Sequence, residues 1–265
     1  MYHVEPGVFI VAESTINLKE LQDYLESIGV KDWSTNAHSY PEEIIEVMGR
    51  GCYKSFGTEL NSNISKVREG NKPYIENLIK QHHGAVLEHS WVSFMFTNVS
   101  RVFTHELVRH RVGTAISQES LRYVRADDLG LWIPPRYRDI PDLSVVLSTH
   151  WEYAEKSYNE VLDRCALIEG MPFDNLPFEK KKEYTSFARR VLPIGMTTNI
   201  GWSCNMRTLR GVLEQRTSRF AEIEMRHVFN IVGSIARERW PSLFDDYRTL
   251  FVDGYVEYNT VNRKI

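Results

Sequence analysis

The sequence predicts a fold of mixed α-helix and β-strand, and two kinds of periodicity support that class. Short runs of alternating or β-branched residues indicate strands at residues 8–12, 91–97 and 197–204. Apolar residues that recur at three- and four-residue steps indicate long helices at residues 143–165 and 218–238. Both kinds of element therefore contribute to the expected core.

The composition indicates one globular domain with a small-molecule partner. The 265 residues are 42% hydrophobic, and no linker divides them, so a single domain over residues 1–265 is expected. The net charge of −3 argues against a general nucleic-acid binder. Three widely spaced cysteines, Cys52, Cys165 and Cys204, favour a reducing compartment. With neither a signal peptide nor a membrane-spanning run in the sequence, the cytoplasm is expected.

Three helices are predicted in the first third of the chain. Asn17 is the expected N-cap of the first helix. Pro41 stands in the first turn of the second helix, which Gly49 and Gly51 should end. A third helix opens at Pro73. The loop between the second and third helices carries a serine, residue 55, which is either a ligand contact or a surface loop residue.

Residues 83–89 are rich in histidine and lead into the second predicted strand. His83, Glu88 and His89 suggest a metal site, since these residue types are common ligands. The spacing does not match the His-Glu-x-x-His helix of zinc proteases, and no third ligand cluster accompanies it. No metal site is therefore predicted.

The most distinctive stretch of the chain is residues 109–123. It follows a short helix that Ser100 should cap, so part of its positive charge suits the negative end of a helix dipole. Gly113 breaks the helix, and irregular chain beyond it would bring hydroxyl and amide groups round to the arginines. The expected anion donors are Arg109, His110, Arg111, Ser117, Gln118, Ser120 and Arg122. Three interpretations of the stretch stay open: a pocket for a phosphate ester, a basic turn exposed to solvent, and a binding site for a nucleic-acid backbone.

The second half of the chain is mostly helical in its predicted pattern. The apolar stripe of helix 143–165 serves either core packing or a subunit interface. A polar-faced helix is expected at 178–190, and Asn205 should cap the helix after the third strand. Helix 218–238 should bury Phe220. The tail that follows gives no structural signal.

One family resemblance rests on these residues. Arg-His-Arg, eight intervening residues and then Ser-Leu-Arg-Tyr, within residues 109–123, resembles the signature of the flavin-dependent thymidylate synthases. The preceding Ser-Arg at residues 100–101 and Thr-His at residues 104–105 are also common in that family. Further matches from His83 to Arg216 extend the resemblance over about half of the chain.

The resemblance implies a fold, an assembly and a reaction. The fold would be α+β, the single-domain fold of the thymidylate synthase complementing proteins, with a twisted β-sheet flanked by helices. The assembly would be a homotetramer whose active sites are shared between subunits. The reaction would be reductive methylation of dUMP to dTMP, with methylenetetrahydrofolate as carbon donor and with FAD, reduced by NADPH, as the source of electrons. No cysteine lies within the basic stretch, and the strand that contains Cys204 would shelter a neutral thiol.

The resemblance also implies site residues. The dUMP contacts would be Glu106, Arg109, Gln118, Ser120, Arg122, Arg189 and Arg216. The FAD contacts would be His83, Glu88, Arg109, His110, Arg111 and Asn205. Arg216 would polarise the pyrimidine ring and Ser120 would lie close to the reacting base, so these two are the expected catalytic residues. Arg122 and Arg189 would hold the phosphate.

Three positions depart from the family pattern. Ala85 stands where threonine is frequent, which removes one hydroxyl contact. Glu106 stands where glutamine is common and Gln118 replaces a frequent glutamate, so one negative charge is gained and one is lost. This exchange leaves dUMP as the first choice of substrate and UMP or a related pyrimidine nucleotide as the alternative. A flavoprotein NADPH oxidase without methylation is a further alternative, and the presence of the nucleotide contacts makes it weaker.

Overall fold

The computed structural model of the chain describes residues 2–126 and 128–263, and it has the α+β class that the sequence predicts. Its β-strands are β1 (Tyr2–His3), β2 (Gly7–Glu13), β3 (Trp91–Ser100), β4 (Thr114–Gln118), β5 (Gly130–Leu131), β6 (Thr197–Asn205), β7 (Arg248–Val252) and β8 (Tyr255–Asn259). Its α-helices are α1 (Leu18–Ser27), α2 (Tyr40–Tyr53), α3 (Asn71–Lys80), α4 (Arg101–Leu107), α5 (Pro135–Arg138), α6 (Pro141–Ile168), α7 (Phe178–Ala188), α8 (Met206–Thr217), α9 (Ile223–Arg239) and α10 (Pro241–Phe244). Short 3-10 helices occupy Gly84–His89, Phe173–Asn175 and Arg189–Val191. Within these described residues, no helix has the length and apolar character needed to cross a membrane.

Within the described residues, the strands form three sheets. Four strands make one sheet in the order β2, β3, β6, β4, and β1 pairs in parallel with β5. The third sheet is an antiparallel hairpin of β7 and β8, in which Arg248 lies opposite Asn259. Asp253 and Gly254 connect its strands with φ angles of 53° and 84°, as a tight two-residue hairpin turn requires. This hairpin occupies the tail that the sequence analysis left without an interpretation.

The chain divides into two compact units. The first unit contains the described residues of Met1–Gly7, Met95–Arg109 and Ile116–Gly201. The second unit contains those of Val8–Phe94, His110–Ala115 and Trp202–Ile265. The single domain expected from the sequence stays a prediction.

Helix α6 organises the core of the first unit. Trp151, Tyr158 and Leu162 are buried in one cluster with residues from the neighbouring segments, and the Trp151 indole donates to the Gly130 carbonyl at 3.4 Å. The long amphipathic helix predicted from the sequence is thereby confirmed, with its buried stripe in the core. The helix expected at 178–190 is shorter than predicted, because α7 ends at Ala188 and a 3-10 turn follows.

Aromatic packing forms part of the core of the second unit. Trp202 is fully buried, stacks on Phe94 at 6.0 Å and meets the edge of Phe229 at 6.0 Å. Helix α2 passes through Gly49 and Gly51 to Tyr53, so the predicted stop at these glycines is wrong. Gly49 is needed for packing instead, since a Cβ there would lie 2.7 Å from the Tyr74 hydroxyl.

Two further expectations for the second unit are wrong. Helix α9 begins at Ile223 rather than Ser218, because the Glu222 carboxylate accepts from the backbone N–H groups of Glu224 and Met225 and caps the helix there. Phe220 precedes that cap and is 91% exposed, so it is not a core residue. Ser55, for which the sequence left both a ligand contact and a surface loop position open, is buried, and its carbonyl accepts from Arg50 at 3.0 Å.

Candidate functional site

The predicted site residues fall into two groups, one in each unit. The second-unit cluster consists of His83, Glu88, His110, Arg111, Asn205 and Arg216. The first-unit cluster consists of Glu106, Arg109, Gln118, Ser120, Arg122 and Arg189. With the exceptions of Arg109 and Arg216, this division separates the expected FAD contacts from the expected dUMP contacts.

A hydrogen bond joins two members of the second-unit cluster. The Nε of Arg216, in the last turn of α8, donates to Nε2 of His110 at 2.7 Å. Both side chains are half-buried. Because an arginine is a donor only, Nε2 of His110 accepts, and a neutral His110 ring carries its proton on Nδ1. The contact therefore fixes which ring nitrogen of His110 is the donor.

The backbone that follows Arg111 is held by the start of α8. The Asn205 N–H donates to the Gly113 carbonyl at 3.1 Å, and the Thr208 hydroxyl donates to the Val112 carbonyl at 2.9 Å. Gly113 has a φ of 65°, and a Cβ at this position would lie 2.4 Å from Asn205 Nδ2. Glycine is thus required both for the backbone conformation and for the close approach of α8. Sequence reasoning gave Thr208 no role.

Asn205 is both the N-cap of α8 and a predicted flavin contact. Its side-chain oxygen accepts from the Thr208 N–H at 2.8 Å, so the predicted N-cap is confirmed. The residue is buried, and the next N–H, of Met206, donates to the Ser90 carbonyl at 2.9 Å. These contacts fix the first turn of α8 beside the segment that leads into β3. They also bring Arg207 into an ion pair with Glu88.

The ion pair of Glu88 with Arg207 lies at the surface of the second unit. The two side chains are 46% and 40% exposed. An exposed pair of this kind contributes little to stability, typically about 0–1 kcal/mol. Its groups therefore remain available to a ligand that offers better partners. Arg207 belongs to the motif that indicated Asn205, but the sequence analysis assigned it no contact.

In the first-unit cluster, a strand replaces the irregular segment expected after Gly113. Residues 114–118 form β4, which pairs with β6 at one edge of the four-stranded sheet. At its end the Gln118 amide donates to the Thr104 hydroxyl at 3.3 Å. The Ser120 hydroxyl then accepts from the Arg122 N–H at 3.3 Å and starts a turn. The strand and the turn together set the backbone positions of Gln118, Ser120 and Arg122.

The arginines of the first-unit cluster are largely open to solvent. Arg109, Arg122 and Arg189 are all exposed. Arg101 is half-buried, lies close enough to Arg189 for their charges to interact, and donates to the Glu119 carbonyl at 3.3 Å. Burial lowers the pKa of the Arg101 guanidinium, and the charge of Arg189 lowers it further, although Glu119 acts in the opposite direction. The repulsion between Arg101 and Arg189 favours the binding of an anion beside them.

The helix that precedes the first-unit cluster has the cap that the sequence predicts. The Ser100 hydroxyl accepts from the Phe103 N–H at 3.1 Å, and α4 ends at Leu107. Glu106 lies in this helix and is half-buried. The chain thus leaves α4 two residues before Arg109, where positive charge complements the carbonyl end of the helix.

Neither buried thiol is suited to nucleophilic attack. Cys204 is fully buried in β6, and burial raises the pKa of its thiol well above the ordinary value. Burial also raises the pKa of the Cys165 thiol. The sheltered, neutral thiol predicted at Cys204 is therefore confirmed.

Metal-binding groups and cavities are the further features that could form a site outside the two clusters. Within residues 2–126 and 128–263, no group of three or more His, Cys, Asp and Glu side chains is arranged to hold a metal ion. A cavity of about 790 Å³ lies in the second unit against α1 and α2, and Leu21, Tyr24, Met48 and Cys52 are among its lining residues. No member of the second-unit cluster lines it.

Comparisons with known proteins agree with the sequence motif. The family described as thymidylate synthase complementing protein matches residues 35–242. A protein of Mycobacteroides abscessus is 32% identical over 217 residues, which are 82% of this chain and 83% of that protein. A protein of Mycobacterium avium is 34% identical over 219 residues, 82% of this chain and 83% of its own length. One from Mycobacterium tuberculosis is 33% identical over 225 residues, with coverages of 84% and 86%. Each of the three is named flavin-dependent thymidylate synthase.

Proposed function

The chain belongs to the thymidylate synthase complementing protein family and is an enzyme of the flavin-dependent thymidylate synthase class, and from this premise we propose that it methylates dUMP reductively to dTMP. Methylenetetrahydrofolate is the carbon donor in this proposal, and FAD reduced by NADPH supplies the electrons. The observation that carries the proposal is the first-unit cluster, in which Arg109, Arg122 and Arg189 are exposed and the backbone N–H of Arg122 bonds to the Ser120 hydroxyl. We further propose a cytoplasmic homotetramer with shared active sites.

The first-unit cluster suits a nucleotide phosphate. Arg122 and Arg189 are exposed, and a guanidinium presents a planar fork that matches two phosphate oxygens. Arg101 adds a third cation close to Arg189; burial is the main reason that its pKa is lowered, and the charge of Arg189 lowers it further. A phosphate dianion would offset the repulsion between these two cations. The Gln118 amide and the Ser120 hydroxyl add neutral donors without further charge.

Arg216 is the proposed electrostatic catalyst, and Ser120 is proposed to lie close to the reacting carbon. A uracil ring becomes nucleophilic at C5 as negative charge develops on its carbonyl oxygens, and a guanidinium that faces them stabilises that charge. The bond from Arg216 to His110 restricts the arginine before substrate binds. Donors that are already oriented need no reorganisation during the reaction, and removal of one such donor typically costs about 10²–10³ in rate.

The second-unit cluster fits a flavin nucleotide by its donor set. Arg111, together with Arg207, the ion-pair partner of Glu88, offers guanidinium groups that suit a diphosphate, and Arg109 is proposed to touch both ligands. Glu88 offers an acceptor for a ribose or ring N–H, and Asn205 and His110 offer neutral polar groups. When bound, the flavin supplies the reducing equivalents of the reaction. The protein binds and orients it, and neither buried cysteine takes part.

The substrate preference depends on two positions. Gln118 is neutral and already directs its amide N–H to Thr104, so it does not repel a phosphate. Glu106 is half-buried in α4, where a carboxylate near the phosphate would have to be compensated by a cation. The exposed arginines of the cluster supply such cations. Both positions are therefore compatible with the phosphate of dUMP, which the family resemblance ranks above UMP.

The test is an assay of the purified protein with FAD, NADPH and methylenetetrahydrofolate, with dUMP and UMP offered separately and the product identified by mass. We expect dTMP from dUMP and no methylated product from UMP. Methylation of UMP alone would keep the chemistry and replace the substrate. NADPH oxidation without a methylated nucleotide would contradict the proposal and favour a flavoprotein oxidase.

A further inference from the structure

Tyr53 contacts a predicted flavin-side residue in the second unit. Its hydroxyl lies 2.9 Å from Nδ1 of His83, although 30 residues separate the two in sequence. The two rings are also stacked, with centroids 5.4 Å apart and planes at 24°. The ring of His83 is therefore restrained both in its plane and at one of its nitrogens.

The backbone on the histidine side of this contact is also fixed. Helix α3 ends in a Schellman motif, in which the His83 N–H donates to the Leu78 carbonyl at 2.9 Å and the His82 N–H donates to the Ile79 carbonyl at 3.0 Å. His82 takes the left-handed conformation that this motif requires, with a φ of 57°. His83 is the N-cap residue of the 3-10 helix Gly84–His89, which carries Glu88. Its position follows from the end of α3.

The backbone on the tyrosine side is held in a similar way. Tyr53 is the last residue of α2, and Lys54 after it is left-handed with a φ of 49°. The Asn61 amide donates to the Tyr53 carbonyl at 3.1 Å. Both partners of the contact thus sit at helix ends whose backbone hydrogen bonds are made.

We propose that Tyr53 is a positioning residue for the flavin chemistry and acts through His83. Its O–H donates to Nδ1, so that a neutral His83 ring carries its proton on Nε2 and presents that N–H as the donor to the bound flavin or the substrate beside it. This assignment rests on the proposed function, which makes His83 a flavin-side residue. A second residue that orients a functional histidine in this way is a common arrangement in active sites.

The hydroxyl group separates this role from simple packing. A phenylalanine would keep the ring stacking, so a role limited to ring packing predicts little effect of Tyr53→Phe. The proposed role predicts a specific loss, because the imidazole would then exchange its proton between the two ring nitrogens and rotate more freely. One neutral hydrogen bond of this kind corresponds to a change of about three- to tenfold.

The test is a double-mutant cycle with Tyr53→Phe, His83→Ala and both changes together. The readouts are the dissociation constant of FAD and the kcat and KM for dUMP. We expect Tyr53→Phe to weaken FAD binding and lower kcat, each by about three- to tenfold, with KM for dUMP within about twofold. In the His83→Ala background the same change should have no further effect. Tyr24→Phe is the control, since Tyr24 and Tyr53 are each 40% exposed and both lie in the second unit.

The outcomes separate this inference from the proposed function. An equal effect of Tyr53→Phe with and without His83 would overturn the inference, as would unchanged FAD binding and kcat in the single variant. A fall in the melting temperature with a parallel rise in KM would assign Tyr53 a structural role instead and also overturn it. If the wild-type protein made no dTMP, the proposed function would fail, and the FAD arm of the cycle would still decide the role of Tyr53.

Discussion

The two clusters differ in how their side chains are held. In the second-unit cluster, protein partners restrain several of the functional groups: Arg216 bonds to His110, His83 to Tyr53 and, at the surface, Glu88 to Arg207, whereas Arg111 is exposed. In the first-unit cluster the backbone is fixed and the guanidinium groups are exposed. The Thr185 hydroxyl, for example, donates to the carbonyl of Arg122 at 2.9 Å, while the Arg122 side chain is in solvent.

This difference affects a ligand that stays bound and a ligand that exchanges at every turnover in different ways. An arginine side chain carries about 2 kcal/mol of rotamer entropy, which is lost when a ligand immobilises it. In the second-unit cluster part of that cost falls on folding, so a resident cofactor would meet groups that are already oriented. In the first-unit cluster the cost would fall on binding and would weaken the affinity for the proposed nucleotide substrate, which must enter and leave at every turnover. We infer that the protein separates retention of its cofactor from exchange of its substrate in this way.

The largest expected effect is that of Arg216→Ala. Loss of the proposed ring-polarising group should lower dTMP formation by about 10²–10³-fold or more. The change also releases His110, so FAD should bind more weakly, by no more than about tenfold, because one hydrogen bond within the second-unit cluster is lost. Turnover and a flavin titration check both expectations. Arg237→Ala, at an exposed position of α9, is the control. Unchanged dTMP formation in the Arg216 variant would remove this residue from the catalytic set.

A smaller effect is expected for Arg189→Ala, and the adjacent arginine provides a matched control. The loss of one exposed phosphate-binding fork should raise KM for dUMP by about 10–100-fold, the equivalent of about 1.4–2.7 kcal/mol, with little change in FAD affinity. Arg190 directs its guanidinium to the carbonyls of Ser186 and Phe187 instead. Arg190→Ala should therefore leave KM within about threefold. Equal effects of the two variants would contradict the assignment of Arg189 to the phosphate.

The sequence predicts features that depend on residues close together in the chain. The N-caps at Asn17, Ser100 and Asn205 are all present, because each is a bond to an N–H three residues ahead. The hairpin turn at residues 253–254 had an equally local signal, an Asp-Gly pair between β-rich runs. That signal was available and went unused.

The features that the sequence does not reveal depend on tertiary contacts. Gly49 was expected to end the helix, yet it lies inside α2. A glycine is needed there because the Tyr74 ring leaves no room for a side chain. The bond between His110 and Arg216 joins residues 106 positions apart, and no periodicity predicts it. The motif predicts which residues belong to the site. How each is restrained depends on which segments the fold brings together.

A moderate effect is expected for Thr208→Val, which removes the hydroxyl that holds Val112. The valine keeps the shape of the side chain, but the segment from His110 to Gly113 loses one of its two restraints from the start of α8. FAD should bind about two- to tenfold more weakly, whereas KM for dUMP should stay within about twofold, since no first-unit side chain is changed. Isothermal titration and steady-state kinetics measure the two quantities. Thr208→Ser retains the hydroxyl and should keep the wild-type FAD affinity, so a loss in that variant would contradict the explanation.

The smallest expected effect concerns strain beside the second-unit cluster. His82 adopts a φ of 57° at the end of α3, where an L-residue costs about 1–2 kcal/mol relative to glycine. His82→Gly should relieve this cost, although glycine gains entropy in the unfolded chain, so a net rise of about 0.5–1 kcal/mol in the free energy of unfolding is expected. Lys80→Gly, two residues earlier within the helix, should instead lower it by a similar amount. Thermal unfolding distinguishes the two. Because the backbone of His83 already follows from the Schellman bonds, His82→Gly should leave FAD affinity unchanged, and weaker FAD binding would mean that the His82 side chain itself takes part in the second-unit cluster.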